Sequence, residues 1–124
     1  CMGSWGALLR AHPDNAMDLI NLKISRMGGL TRARQIRDLC VSLGLPMNVE
    51  DSWGGEIATA AIAHLAHSTP AEFQFQSSAF HDYSTVSIAD GAPSVKDGYM
   101  CVNDAPGLGV TADMSQLGEP VFTT

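Results

Sequence analysis

The stretch LINLKISRMGGLTRAR, residues 19–34, decides how the chain is read. Leu19 to Ile24 is short and rich in Ile and Leu, the composition of a strand buried on both faces within a parallel sheet, and Gly28-Gly29 is expected to stop it. Thr31 then suits an N-cap. Ala33, Ile36, Leu39, Cys40 and Leu43 recur at helical spacing opposite Arg34, Arg37 and Asp38, and Gly44 closes the segment as a C-cap. The stretch therefore reads as a strand, a glycine loop and a helix, with one anomaly. Lys23 places an ammonium near the end of a strand that should be entering a core.

The same unit recurs downstream without obvious sequence identity. Pro46 to Glu50 (PMNVE) reads as a strand, Asp51 to Gly55 as a loop, Glu56 to His67 (EIATAAIAHLAH) as an alanine-rich helix and Phe73 to Gln76 as a third strand. Upstream, Ser4 to His12 has helical spacing with Trp5, Leu8 and Leu9 on one side, ended by Pro13, Asp14 and Asn15. Repeated strand, loop and helix units imply right-handed crossovers and parallel strands, hence an α/β sheet or barrel. After Tyr83 the texture changes: TVSIADGAPSVKDGYMCVN reads as two strands around turn-rich residues, and DAPGLGV begins an irregular tail to Thr124. Three parallel strands leave open edges, which soluble proteins avoid by adding strands or closing a barrel. Cys1 directly precedes a helix with no strand before it, so the chain is expected to be incomplete.

Composition limits the function classes. With 124 residues, 45% of them hydrophobic, the chain is the size of one ordinary domain and can bury a core. A net charge of -6 argues against a nucleic-acid surface, which needs a surplus of lysine and arginine on one face. Six of the seven basic residues nonetheless precede Met47, a bias that fits either solvated helix faces or an assembly surface. Cys1, Cys40 and Cys101 make an odd count without C-x-x-C spacing, which reads as free thiols in a reducing, cytoplasmic compartment. No stretch approaches the roughly 18 apolar residues of a membrane span.

Lys23 is the first candidate for chemistry. It lies near the carboxyl end of its strand, the edge of a parallel sheet or barrel where ligands bind and catalytic groups collect. A desolvated lysine can serve as a general base; the other reading is a lysine snorkelling at a strand end. VEDSWGG (residues 49–55) places Glu50 and Asp51 at the corresponding end of the next strand. These carboxylates could orient a base or pair with a cation, or Asp51 could be an N-cap. Trp53 could wall a pocket, face a cationic ligand or simply pack. His64 and His67 form H-x-x-H without the acidic partner of a metal motif and read as structural or surface residues. Gly28-Gly29 before a helix permits a phosphate-loop reading, although no Walker lysine-serine follows. SSAFHDY (residues 77–83) supplies a further rim loop with Phe80, His81 and Asp82 as lining or packing residues.

INLKISRMGGLTRARQIRDLC, VEDSWGGEIATAAIAHLAHST and DAPGLGV together resemble the C-terminal part of the enolase superfamily, on the muconate lactonizing enzyme and mandelate racemase side. The match covers nearly the whole chain. The resemblance implies the last βα units of a modified (β/α)7β barrel over residues 1–83, and a β-rich segment, residues 84–124, that packs near a separate capping domain. It maps the family's sixth-strand lysine onto Lys23. It implies proton abstraction from, or delivery to, the carbon beside a substrate carboxylate, with Mg²⁺ stabilising the enediolate.

Glu50-Asp51 stands where the racemase-like branch would have histidine, so the paired-lysine branch fits better. Within that branch the wording is most similar to cis-3-hydroxy-L-proline dehydratases and to hydroxyproline-betaine or proline-betaine epimerases. Glu50, Asp51, Trp53 and Phe80 are then the expected substrate-pocket residues, and Ala79 departs from an acidic residue usual in such relatives. The second lysine, the metal carboxylates and the capping domain would all lie upstream of Cys1. The implied partner is a small-molecule carboxylate, with no metal ligand in this chain, and the chain alone is expected to be inactive. The alternative is a non-catalytic α/β module that covers its open edges by self-association or by binding a missing N-terminal part.

Overall fold

The structure is a computed structural model and describes residues 4–122. The expectation about Cys1 lies outside the described residues. Helix α1 spans Trp5–Ala11, with Ser4 as N-cap accepting the Ala7 N–H at 3.3 Å. Of its expected apolar side only Leu8 enters the core. Trp5 and Leu9 stay 41% and 50% exposed, because a helix of 7 residues turns little more than one side chain onto the strand beneath it.

Strand β1 is Ile20–Lys23, shorter than expected, and it runs straight into a helical turn, α2, Ile24–Met27. Gly28-Gly29 therefore ends α2 and not the strand. Gly28 takes the left-handed conformation at φ 84°, where a Cβ is disfavoured, and the Gly28 and Gly29 N–H groups return to the Ser25 and Ile24 carbonyls. Helix α3, Leu30–Ser42, is capped by the Gly29 backbone, whose carbonyl accepts the Ala33 N–H, so Thr31 falls inside the first turn. Leu43 is its C-cap, and Gly44 follows at φ 70°. Strand β2 is Met47–Glu50, helix α4 is Glu56–His67 as expected, and β3 is Gln74–Ser77. The third strand starts one residue late because Ala71–Phe73 coils into a 3-10 turn.

The three strands form one parallel sheet in the order β1-β2-β3, with Leu22 opposite Val49 and Lys23 opposite Glu50. Strand alternation gives the sheet two unlike faces. Ile20, Leu22, Met47 and Val49 are buried together with Ala33, Ile36 and Cys40 of α3 and Ile62, Leu65 and Ala66 of α4. The other face carries Asn21, Lys23, Asn48, Glu50 and Gln76, so β1 is not apolar on both sides as its composition suggested. Arg37, expected on the solvent side of α3, is only 7% exposed. Its guanidinium donates to the Ser68 carbonyl at 2.7 Å and to Asp38 at 2.6 Å, tying α3 to the end of α4.

Beyond Tyr83 the backbone forms two small antiparallel pairs and a helical turn where two strands and an irregular tail were expected. The strands β4 (Ala89–Asp90) and β7 (Thr111–Ala112) form one pair, β5 (Ser94–Lys96) and β6 (Tyr99–Cys101) the other, and α5 is Met114–Leu117. The β5-β6 hairpin turns through Asp97 and Gly98, both at positive φ, the conformation that an Asp-Gly type I′ turn requires.

Candidate active site

Lys23 is the last residue of β1 and Glu50 the last of β2, and parallel register sets them side by side on the polar face. Lys23 Nζ lies 2.9 Å from Glu50 Oε1, with the two side chains 22% and 14% exposed. The same carboxylate oxygen accepts the Asn21 amide at 2.6 Å, and Oε2 accepts the Ser78 hydroxyl at 3.3 Å. Asn21 is itself held by the Asn48 amide at 3.0 Å. Burial pushes the Glu50 carboxyl upward. The hydrogen bonds from Lys23, Asn21 and Ser78, with the lysine charge, outweigh it and leave the group below the ordinary glutamate range.

Asp51 begins the next loop and points elsewhere. Its Oδ2 accepts the Ser25 N–H at 3.1 Å, its Oδ1 accepts the Ser25 hydroxyl and the Ser52 N–H, and its carbonyl receives Lys23 Nζ at 3.4 Å. It is 8% exposed. The carboxylates of Glu50 and Asp51 are thus adjacent in sequence but committed to different partners, one to a lysine and the other to Ser25 and Ser52.

Trp53, Phe80 and Tyr83 gather beyond these carboxylates, with ring centroids 5.8, 6.3 and 6.4 Å apart. Phe80–Tyr83 is a 3-10 turn, in which residues three apart eclipse, so Phe80 and Tyr83 face Trp53 together. Trp53 and Tyr83 stack on each other and remain mostly exposed. A cleft of about 460 Å³ opens on the other side of Lys23, along the free edge of β1, lined by Met17, Asn21, Arg26 and Met27 among others. The end of the sheet therefore combines a paired ammonium, acceptors held in fixed positions and an aromatic wall. Such a set can bind a small charged molecule and move a proton at Lys23 Nζ.

The other candidates have structural partners. The His81 N–H donates to Thr59 Oγ1 at 3.2 Å, and its Nε2 lies 3.3 Å from Asp82. His64 Nε2 meets the Leu108 carbonyl at 3.1 Å, while His67 is exposed, so H-x-x-H does not act as a pair. The N–H groups of Gly28 and Gly29 are spent on α2 carbonyls, which leaves them unavailable to cradle a phosphate. Among the described residues no group of three His, Cys, Asp or Glu side chains could hold a metal ion. Glu50 and Asp51 already accept three donors each and face different partners, which does not suit a magnesium site. Asn21, Ser25, Ser78 and Tyr83, none of them singled out in the sequence, complete the cluster. The period of two between Asn21 and Lys23 and the spacing of three between Phe80 and Tyr83 are the signals that place two of them.

Known proteins match nearly the whole chain. The family described as enolase C-terminal domain-like matches residues 2–116. The cis-3-hydroxy-L-proline dehydratase of Roseibium aggregatum is 57% identical over 92% of this chain and 31% of its own length. A mandelate racemase/muconate lactonizing enzyme of Roseovarius nubinhibens superposes with a TM-score of 0.93 at 44% identity, covering 98% of this chain and 33% of that one. Another from the same organism, complexed with magnesium, superposes with a TM-score of 0.92 at 31% identity, again over 98% of this chain and 33% of that one. The chain thus spans about a third of the length of the relatives it matches. With three parallel βα-type strands, a lysine at the sheet's carboxyl end and a match over nearly its full length, the chain belongs to the enolase C-terminal domain-like family, among the mandelate racemase/muconate lactonizing enzymes.

Proposed function

We propose that this chain forms the last part of the barrel of a dehydratase acting on a cis-3-hydroxyproline-type amino acid, with Lys23 transferring the proton at the carbon beside the carboxylate. The observation that carries the reading is the Lys23 and Glu50 pair at 2.9 Å, on the polar face and at the carboxyl end of a parallel sheet. Lys23 carries the transferable proton on Nζ, Glu50 holds that ammonium in place, and the exposed aromatic side chains of Trp53 and Tyr83 suit the ammonium of an amino-acid substrate. The 57% identity to a cis-3-hydroxy-L-proline dehydratase supports this substrate class. Magnesium, which a related structure binds, would be held by residues outside this chain's described side chains. The free edges of β1 and β3, the latter with Phe75 67% exposed, would be covered by further barrel strands, and residues 84–124 would pack near a capping domain.

The test is a chimera in which this chain replaces the matched third of the Roseibium aggregatum enzyme. The expected product from cis-3-hydroxy-L-proline has lost its hydroxyl group. A folded chimera that only epimerises the substrate, or leaves it unchanged, would overturn the dehydratase reading. The isolated chain, given Mg²⁺ and the same substrate, is expected to show no α-proton exchange.

A further inference from the structure

We propose that Asp51 is a positioning residue for Lys23, acting as the missing cap of the helical turn that follows β1 and not as a substrate ligand. This inference rests on the reading of Lys23 as the proton-transfer group. Lys23 sits at a junction: its own backbone is extended, at φ −105° and ψ 118°, while Ile24 to Met27 are helical. It is formally the N-cap of that turn, yet its side chain makes no capping bond. The first amides of any helix lack acceptors within it, and an N-cap side chain normally supplies one. Here the acceptor comes from the loop after the neighbouring strand, 26 residues later, where Asp51 Oδ2 takes the Ser25 N–H at 3.1 Å and Oδ1 takes the Ser25 hydroxyl.

The same residue also reaches Lys23 itself, through its carbonyl at 3.4 Å from Nζ. Asp51 therefore fixes the backbone just after the lysine and contacts the end of its side chain. Three donors, the Ser25 N–H, the Ser25 hydroxyl and the Ser52 N–H, converge on its two oxygens, and a carboxylate serves such a set better than an amide with one acceptor oxygen. A slip of one residue at this junction would send the lysine to the apolar face, because side chains alternate along a strand. Holding the strand-to-helix transition directly after Lys23 prevents that slip. Glu50 then only has to pair with an ammonium that is already aimed.

Lys23 and Lys96 are the two lysines of the chain, which makes the idea directly readable. Reductive methylation with ¹³C-formaldehyde gives each lysine a resolved methyl resonance, and Lys96, on the exposed β5 strand, serves as the internal reference. In the native chain the Lys23 signal is expected away from that of Lys96. Asp51→Asn and Ser25→Ala should each move it toward Lys96, whereas Ser25→Thr, which keeps the hydroxyl, should restore the native position. Circular dichroism verifies folding, and if Asp51→Asn does not fold, the Ser25→Ala and Ser25→Thr pair decides alone. A native Lys23 signal in folded Ser25→Ala, or an equal displacement in Ser25→Thr, would overturn the proposal. The readout needs no turnover, so failure of the dehydratase reading and failure of this one are separate results.

Discussion

The βα units up to Tyr83 and the segment beyond it are held together by different forces. In the first, strands β1 and β2 and helices α1 to α4 enclose a continuous apolar cluster from Leu8 to Ala66. In the second, Ala89 and Pro93 are the buried apolar residues among those described, Met100 touches the edge of the first region's cluster, and the rest of the attachment is polar. Glu56 at the start of α4 accepts the Ile88 N–H at 3.1 Å, His64 meets the Leu108 carbonyl, and the Asn103 amide bridges the Gly91 and Gly109 carbonyls at 3.2 and 2.8 Å. Apolar burial gives cooperative stability to a large unit, whereas a few side-chain hydrogen bonds to backbone hold a segment that can open locally.

The largest effect should come from breaking the first region. Leu22 is 1% exposed at the centre of the cluster, so Leu22→Ala removes buried methyls and leaves a cavity worth about 2–5 kcal/mol. Urea unfolding followed by circular dichroism should show the whole chain destabilised together. A loss confined to the second region would break the comparison.

A smaller effect is expected at Glu56. Glu56→Ala removes the acceptor of the Ile88 N–H, at a cost of about 1–3 kcal/mol for the donor left behind. Amide exchange should accelerate near Ile88 and Asp113 while the amides of β1 and β2 keep their protection. The same contact predicts a pH dependence. Burial raises the Glu56 carboxyl, but the N–H groups of Glu56 and Ile88, the Ser87 side chain and the nearby His81 charge outweigh it, and the folded value lies below the ordinary 4.5. A depressed carboxylate contributes stability that is present above its unfolded pKa and lost as pH falls through the folded one. Acid below about pH 4.5 should therefore free this segment before the core melts, and Glu56→Gln should abolish that step.

The smallest effect contrasts two thiols. Burial pushes Cys40 in α3 up to about 11, whereas Cys101 on β6 is exposed. In a Cys1→Ser background a thiol reagent at pH 8 should modify Cys101 at once and Cys40 only after unfolding. Rapid reaction of Cys40 would show that the first region opens as readily as the second.

The same division explains what could be read in the sequence. The parallel βα units were legible because apolar periodicity and a glycine after α3 specify them, and α4 has the bounds its pattern suggests. The second region was not, since its strands of two or three residues carry no period and depend on distant acceptors such as Glu56. At the site, Lys23 and Glu50 could be placed from their positions at successive strand ends. Asp51 could be placed at the same strand end, but not its partner Ser25, which only strand pairing brings to it, and the short turn α2 that Gly28 closes carries no periodic pattern. Arg37 looked like a surface charge because nothing in its neighbourhood in sequence announces the Ser68 carbonyl it meets.

The most direct test of the central claim, that Lys23 is the group that moves the proton, is α-proton exchange measured by NMR in D₂O on the full-length chimera with cis-3-hydroxy-L-proline. Lys23→Ala is expected to lower the exchange rate about 10²–10⁴-fold, the range for loss of one positioned acid-base group, with the chimera still folded. Exchange at the unsubstituted rate in Lys23→Ala would contradict the account.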